Sequence, residues 1–171
     1  MRIIHRDIKP DNILIHKTEG KSDYAVRIAD FGFAAFTPEK HHLSHKCGTA
    51  GFCAPELGNQ SNYSYKVDIF SLGAVLFKLM TGKNLFPGTT DDEVLLRNMV
   101  CDTTKVKVIL HEKGYSLKCV DAVQWMLEAD PANRPNAKKA LSHVWFKEDK
   151  QIVKVLLSIN QEICTPMNRT P

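Results

Sequence analysis

The chain has 171 residues, of which 43% are hydrophobic and 25% charged, with a formal net charge of +4. At about 100–200 residues per domain, this is one domain or a large piece of one, and the apolar content excludes a disordered chain. The longest apolar runs, such as Leu72 to Phe77, fall far short of the ~20 residues that span a bilayer. Arg2, Arg6 and Asp7 put charge where a signal peptide needs its apolar stretch. Cys47, Cys53, Cys101, Cys119 and Cys164 are odd in number and scattered, which argues against a disulfide framework. The positive charge is mild and spread along the chain, too weak to indicate nucleic acid. The expectation is a soluble, reduced, cytoplasmic domain that binds neither nucleic acid nor membrane.

In chain order, residues 13–16 and 25–29 read as two short strands of a hairpin, joined by the polar turn 17–23. Residues 30–56 lack a sustained period and hold Gly32, Pro38, Gly48, Gly51 and Pro55. A loop of that length in a compact domain is usually functional. Residues 66–81 are apolar nearly all round, which predicts a centrally buried helix ended by Gly82. Thr90 and Glu93 stand at capping-box spacing before Val94, Leu95 and Met99. A further helix starts at Ser116, carries Val120, Val123 and Leu127 inward, and stops before Pro131. Residues 137–146 and 148–163 read as two more helices. In the second, Ile152, Val155 or Leu156, Ile159 and Ile163 share a face. The tail 165–171 is expected to fray. The fold class is mainly α (α+β), with a small β-hairpin near the start.

Five motifs then stand in order. His5-Arg6-Asp7-Ile8-Lys9-Pro10-Asp11-Asn12 is followed by Asp30-Phe31-Gly32 and by Ala54-Pro55-Glu56. Asp68-Ile69-Phe70-Ser71-Leu72-Gly73 lies on the buried helix, and Asp130-Pro131-Ala132-Asn133-Arg134-Pro135 comes near the end. In this order the sequence closely resembles the eukaryotic protein kinases, whose catalytic loop, magnesium loop and activation segment follow one another in the same way. The resemblance implies the large, C-terminal lobe of a serine/threonine kinase over residues 1–146, with residues 147–171 as a terminal helix and tail. ATP and Mg2+ are the implied cofactors, and a protein with a Ser or Thr hydroxyl the implied substrate.

Phosphoryl transfer asks a protein chiefly for positioning and charge neutralisation. By resemblance Asp7 is the base or orienter of the substrate hydroxyl, and Lys9 balances charge on the phosphoryl group. Asn12 and Asp30 supply the oxygen ligands that magnesium prefers. Leu14 matches the floor of the adenine pocket, with Val75 and Leu79 packed beneath it. Thr49, in Cys47-Gly48-Thr49, bonds towards Asp7 and Lys9, and with Lys9 marks the serine/threonine type. Glu56 and Arg134 correspond to a buried ion pair, and Asp68 to a carboxylate that accepts backbone N–H groups of the catalytic loop. His5 and Phe31 match members of an apolar stack, and Gly32 completes the magnesium loop. Leu85-Phe86-Pro87-Gly88 with Glu93-Val94 is similar to the calcium/calmodulin-dependent kinase group.

There are departures. A complete kinase domain opens with a small lobe bearing a Gly-rich loop, a lysine and a helix glutamate. Only four residues precede His5, and no G-x-G-x-x-G occurs. The small lobe and the helix that normally precedes the catalytic loop are therefore expected to be absent, leaving apolar surface exposed. Such a piece is expected to lack autonomous activity; the rival reading is a non-catalytic docking or regulatory fragment. Arg6 normally pairs with a phosphate added by an upstream kinase, yet the usual position falls on His45, with Ser44 beside it. Either Ser44 is used in a shifted register or activation is independent of phosphorylation. His41, His42, His45 and Cys47 include possible zinc ligands but lack compact paired spacing. Nothing near Cys53 lowers its pKa, and Lys138-Lys139 reads as a solvated helix face. The stripe over 152–163 is expected to dock on the domain rather than to bind calmodulin.

Overall fold

The computed structural model describes residues 2–17, 24–37, 47–58 and 63–148. Two small antiparallel sheets and seven helices make up these residues. Strand β1 (Arg2–Ile4) pairs with β4 (Ala35–Thr37), aligning Ile3 with Phe36. Strand β2 (Ile13–Lys17) pairs with β3 (Tyr24–Ile28), Ile13 facing Ile28 and Lys17 facing Tyr24. The expected hairpin thus forms, within one residue of its expected bounds. The sheet of β1 and β4 lies partly inside the stretch that read as an unbroken loop.

Helix α1 (Pro55–Gly58) leads to α2 (Lys66–Thr81), which ends where Gly82 takes a left-handed conformation, φ 72°. Val67, Phe70, Ala74, Val75 and Phe77 of α2 are buried, as the nearly unbroken apolar sequence requires. Around α2 lie α4 (Val106–Glu112) and α5 (Leu117–Met126). A side chain on Gly73 would bring its Cβ to 3.0 Å from Leu127 and 3.1 Å from Met126, so the glycine sets how near α2 and the end of α5 approach. Leu57, Tyr63, Phe86, Leu110, Val123 and Leu127 complete one core. Val75 is buried as expected, but Leu79 is 70% exposed: among the described residues no element covers that face of α2.

Helix α3 (Asp91–Val100) is capped by Thr90, whose Oγ1 accepts from the N–H of Glu93 at 3.2 Å. The Glu93 carboxylate does not close the box on Thr90; it accepts from the Thr89 N–H and pairs with Arg97 at 2.7 Å. Ser116 caps α5 in the expected place. Helix α4 carries no side-chain cap and has no sequence signal of its own. The single helix expected over 137–146 is two, α6 (Ala137–Leu141) and α7 (Val144–Glu148). The Ser142 hydroxyl bonds the Lys139 carbonyl, and His143 Nδ1 accepts from the Trp145 N–H. Such local side-chain bonds compete with the helical ladder. The helix expected over 148–163 lies outside the described residues beyond Glu148.

Arg134 ties α1 to the late helices. Its guanidinium is 1% exposed and forks onto Glu56, at 2.7 and 3.0 Å. The same group donates to the carbonyls of Glu128, Ala129 and Lys66, and stands 4.9 Å from the Phe70 ring centroid. Its five N–H donors are thereby matched by five acceptors. Removing one partner of a buried pair costs about 3–5 kcal/mol, because the other charge stays behind. Glu56→Ala should lower unfolding free energy in urea by that amount; a loss under about 1 kcal/mol would show that the three carbonyls suffice.

Candidate active site

The loop between β1 and β2 is fastened from below. Asp68, in the first turn of α2, accepts the backbone N–H of His5 at 2.8 Å and of Arg6 at 2.9 Å. Burial pushes its carboxyl up, against the pull of these two donors. Arg6 sits at φ 71°, a left-handed conformation costly for a residue with a side chain. The twin bonds to one carboxylate help to hold it there. His5 Nε2 lies 3.0 Å from the Ala29 carbonyl, and its ring meets Phe31 edge-on at 4.9 Å.

The strained turn delivers Asp7, buried to 4% exposure, into a convergent polar cluster. Thr49 donates its hydroxyl to Asp7 Oδ1 at 2.6 Å. Lys9 Nζ lies 3.0 Å from Asp7 Oδ2 and 2.9 Å from Thr49 Oγ1. Asn12 gives its amide N–H to the Asp7 carbonyl at 2.9 Å and to Oδ2 at 3.2 Å. Burial opposes ionisation of Asp7, but bonds from Thr49, Lys9 and Asn12 and the Lys9 charge outweigh it. Its carboxyl is held below the ordinary 3.8.

Asn12 ends a single 3-10 turn, Pro10–Asn12, and its carbonyl accepts the Ala29 N–H at 2.9 Å. That bond extends the β2–β3 pairing and brings Asp30 in behind Ala29. Asp30 is exposed, at φ 60°, and its Oδ1 accepts the Gly32 N–H at 3.1 Å at the start of a turn over Phe31–Phe33. Asn12 spends its amide nitrogen on Asp7, leaving Oδ1 as the atom able to take a cation. A carboxylate oxygen and an amide oxygen are both hard donors, the chemistry that magnesium prefers. Leu14 of β2 is 52% exposed.

The segment 47–58 is pinned at several points. Gly48 has φ 97°, and a Cβ there would fall 2.9 Å from the Arg6 carbonyl, so only glycine lets this segment press on the loop. Arg6 donates to the Tyr63 hydroxyl at 2.9 Å and to the Phe33 carbonyl. Asn98 on α3, fully buried, accepts from the Gly51 N–H and donates to the Cys53 carbonyl. Burial pushes the Cys53 thiol up to about 11, so Cys53 is not an activated thiol. Tyr63 and Asn98 carry no motif that would single them out in the sequence; a polar residue on an apolar helix face was the available hint for Asn98.

Ser44, His41, His42 and His45 lie outside the described residues. Among the described residues, no three or more His, Cys, Asp or Glu side chains gather as a metal cage, and no helix is long and apolar enough to cross a membrane.

Comparison with known proteins bears on this arrangement. Residues 1–146 match the family described as the protein kinase domain. The chain is 36% identical over 153 residues to the serine/threonine-protein kinase ATG1c of Arabidopsis thaliana, covering 87% of this chain and 20% of that protein. It is 32% identical over 159 residues to the "Probable serine/threonine-protein kinase 2" of Plasmodium falciparum, covering 93% and 30%. To the human SNF-related serine/threonine-protein kinase it is 33% identical over 149 residues, covering 86% and 18%. It thus spans less than a third of the length of these relatives. With the match running from the β1 strand to α7 and taking in the Asp7 cluster, the chain belongs to the protein kinase domain family.

Proposed function

We propose that residues 1–146 are the catalytic-loop half of a serine/threonine protein kinase domain, which moves the γ-phosphoryl group of ATP onto a Ser or Thr hydroxyl of a protein. The observation that carries this reading is the Asp7–Lys9–Thr49–Asn12 cluster, in which one buried carboxylate is held ionised by three side chains. Asp7 orients the incoming hydroxyl and takes its proton as the new O–P bond forms and the bond to the β-phosphate breaks. Lys9, still partly open to solvent, faces the charge that builds on the transferred group. Asn12 and Asp30 would hold Mg2+, which supplies charge neutralisation to the phosphates. Thr49 fixes Asp7 and Lys9 together and couples them to the segment that receives the substrate peptide.

Since the chain spans a fraction of its relatives, activity belongs to a polypeptide that also supplies the other wall of the nucleotide cleft. The exposure of Leu14 supports this: the residue matching the floor of that cleft faces solvent. The same exposure favours a second reading, in which this chain by itself is a docking or regulatory piece. Arg6 already bonds Tyr63 and Phe33, which supports activation without a phosphate on Ser44. The Leu85–Gly88 segment supports the calcium/calmodulin-dependent group as the subtype.

Four experiments test this. Asp7→Asn should lower kcat for a Ser/Thr peptide by about 10²–10⁴ with the urea midpoint little changed; equal turnover would sink the assignment. Transfer by the 171-residue chain alone, abolished in that variant, would remove the second reading. Asp30→Ala should abolish the magnesium-dependent heat of nucleotide binding in calorimetry, whereas an unchanged isotherm would remove Asp30 as a ligand. Thr49→Val should raise the Asp7 titration midpoint, followed by carboxyl-carbon NMR, towards 3.8. The sign follows from linkage: a depressed carboxylate adds stability above its unfolded pKa, and loses it as pH falls through the folded one. Thr49→Val should accordingly flatten the loss of stability below pH 3.8.

A further inference from the structure

Asn98 is a buried polar side chain beside the site that the transfer chemistry leaves unused. It lies on the inner face of α3, 0% exposed, where an apolar residue would pack with no partner to find. Its Oδ1 accepts from the Gly51 N–H at 2.5 Å, and its Nδ2 donates to the Cys53 carbonyl at 2.6 Å. Both ends of one carboxamide are thus spent on a single short turn. That turn is tied in the other direction to Thr49, whose carbonyl accepts from the N–H groups of Phe52 and Cys53 at 3.2 and 3.1 Å. The same segment meets α3 again further on: a Cβ on Gly58 would come 2.8 Å from Met99 Cγ. Helix α3 therefore clasps residues 51–58 at two places, the turn and α1.

Turn and helix also share a hollow. Thr49, Ala50 and Cys53 of the one and Asp91, Asp92 and Leu95 of the other line it together. Because the Thr49 hydroxyl reaches Asp7, the hollow adjoins the carboxylate that receives the substrate hydroxyl. A peptide that presents Ser or Thr to Asp7 passes along this wall. Asp7 itself is held by Thr49 Oγ1, Lys9 and Asn12, none of which touches Asn98. Release of the Gly51 and Cys53 bonds would therefore shift the wall and leave the reacting group in place.

We propose that Asn98 is a positioning residue for the acceptor peptide: by fastening Gly51 and Cys53 to α3, it fixes the wall of the hollow against which the peptide binds. The inference rests on the kinase reading and deepens it, assigning Asn98 to peptide binding rather than to the phosphoryl step. An interaction made equally with the bound peptide and the transition state changes KM and spares kcat.

The Asn98→Leu variant tests this, since leucine is close to asparagine in volume and removes both bonds while the space stays filled. In the polypeptide that carries out transfer, the acceptor is a serine peptide selected from a degenerate library. Its KM should rise at least about fivefold, with kcat and the KM for ATP within about twofold of the unsubstituted protein. In hydrogen–deuterium exchange of the 171-residue chain, amides of 50–54 should exchange about tenfold faster and those of 4–12 at an unchanged rate. A merely structural role would lower the unfolding midpoint without the split between KM and kcat. An unchanged peptide KM, or a loss confined to kcat, overturns the proposal while the kinase reading stands. No transfer by the unsubstituted polypeptide overturns the kinase reading, and this inference with it. If the leucine variant does not fold, the unsubstituted protein decides: saturating peptide should slow exchange in 50–54 and 91–95, and a footprint that spares both stretches overturns the proposal.

Discussion

The Asp68 carboxylate is the constraint on which the site depends. It stands in the first turn of α2, whose Val67, Phe70, Ala74 and Phe77 lie in the core, and it receives two consecutive N–H groups of the catalytic loop. Without that fork the loop would have to hold Arg6 in a left-handed conformation unaided. The position of Asp7 would then drift by more than its bonds to Thr49 and Lys9 could correct. The platform is rigid because α2 is wrapped by α4, α5 and the 53–57 segment. A core helix thus transmits its immobility to a single carboxylate, and burial of Phe70 and Phe77 becomes precision at Asp7.

The second tie has another character. Arg134 and Glu56 join α1 to the turn after α5, so the segment that carries Thr49 is anchored at its far end. A buried pair is a poor source of net stability but a strong specifier of arrangement, since a single partner cannot be left alone. All of the donors of Arg134 are used, which leaves one way to dock this corner.

Much of this was legible in the sequence, for identifiable reasons. The bounds of α2 follow from unbroken apolarity and a terminal glycine, and those of α3 and α5 from Thr90 and Ser116, each a local signal. The Asp7 group is legible because its members fall within a few residues, with Thr49 reached through the family pattern. What stayed hidden depends on distant partners. The β1–β4 pairing joins residues about thirty apart with three-residue strands, too short for any period to show. Helix α4 alternates Val106 and Val108 as a strand would, and only packing against α5 decides the matter. The break at Ser142 and His143 is a contest between side-chain and backbone bonds that no periodicity records. Tyr63 and Asn98 are polar residues whose meaning lies wholly in what they meet.

Asn98 has a further consequence. By gripping both Gly51 and Cys53 through main-chain atoms, it moulds the 51–53 stretch from outside, whatever side chains that stretch carries. Shape and chemistry are thereby stored in different places. Replacement of Phe52 would repaint the surface while the contour endures, whereas a change at Asn98 would bend the contour and leave the paint untouched. Lineages descending from such a scaffold can diversify the one without renegotiating the other.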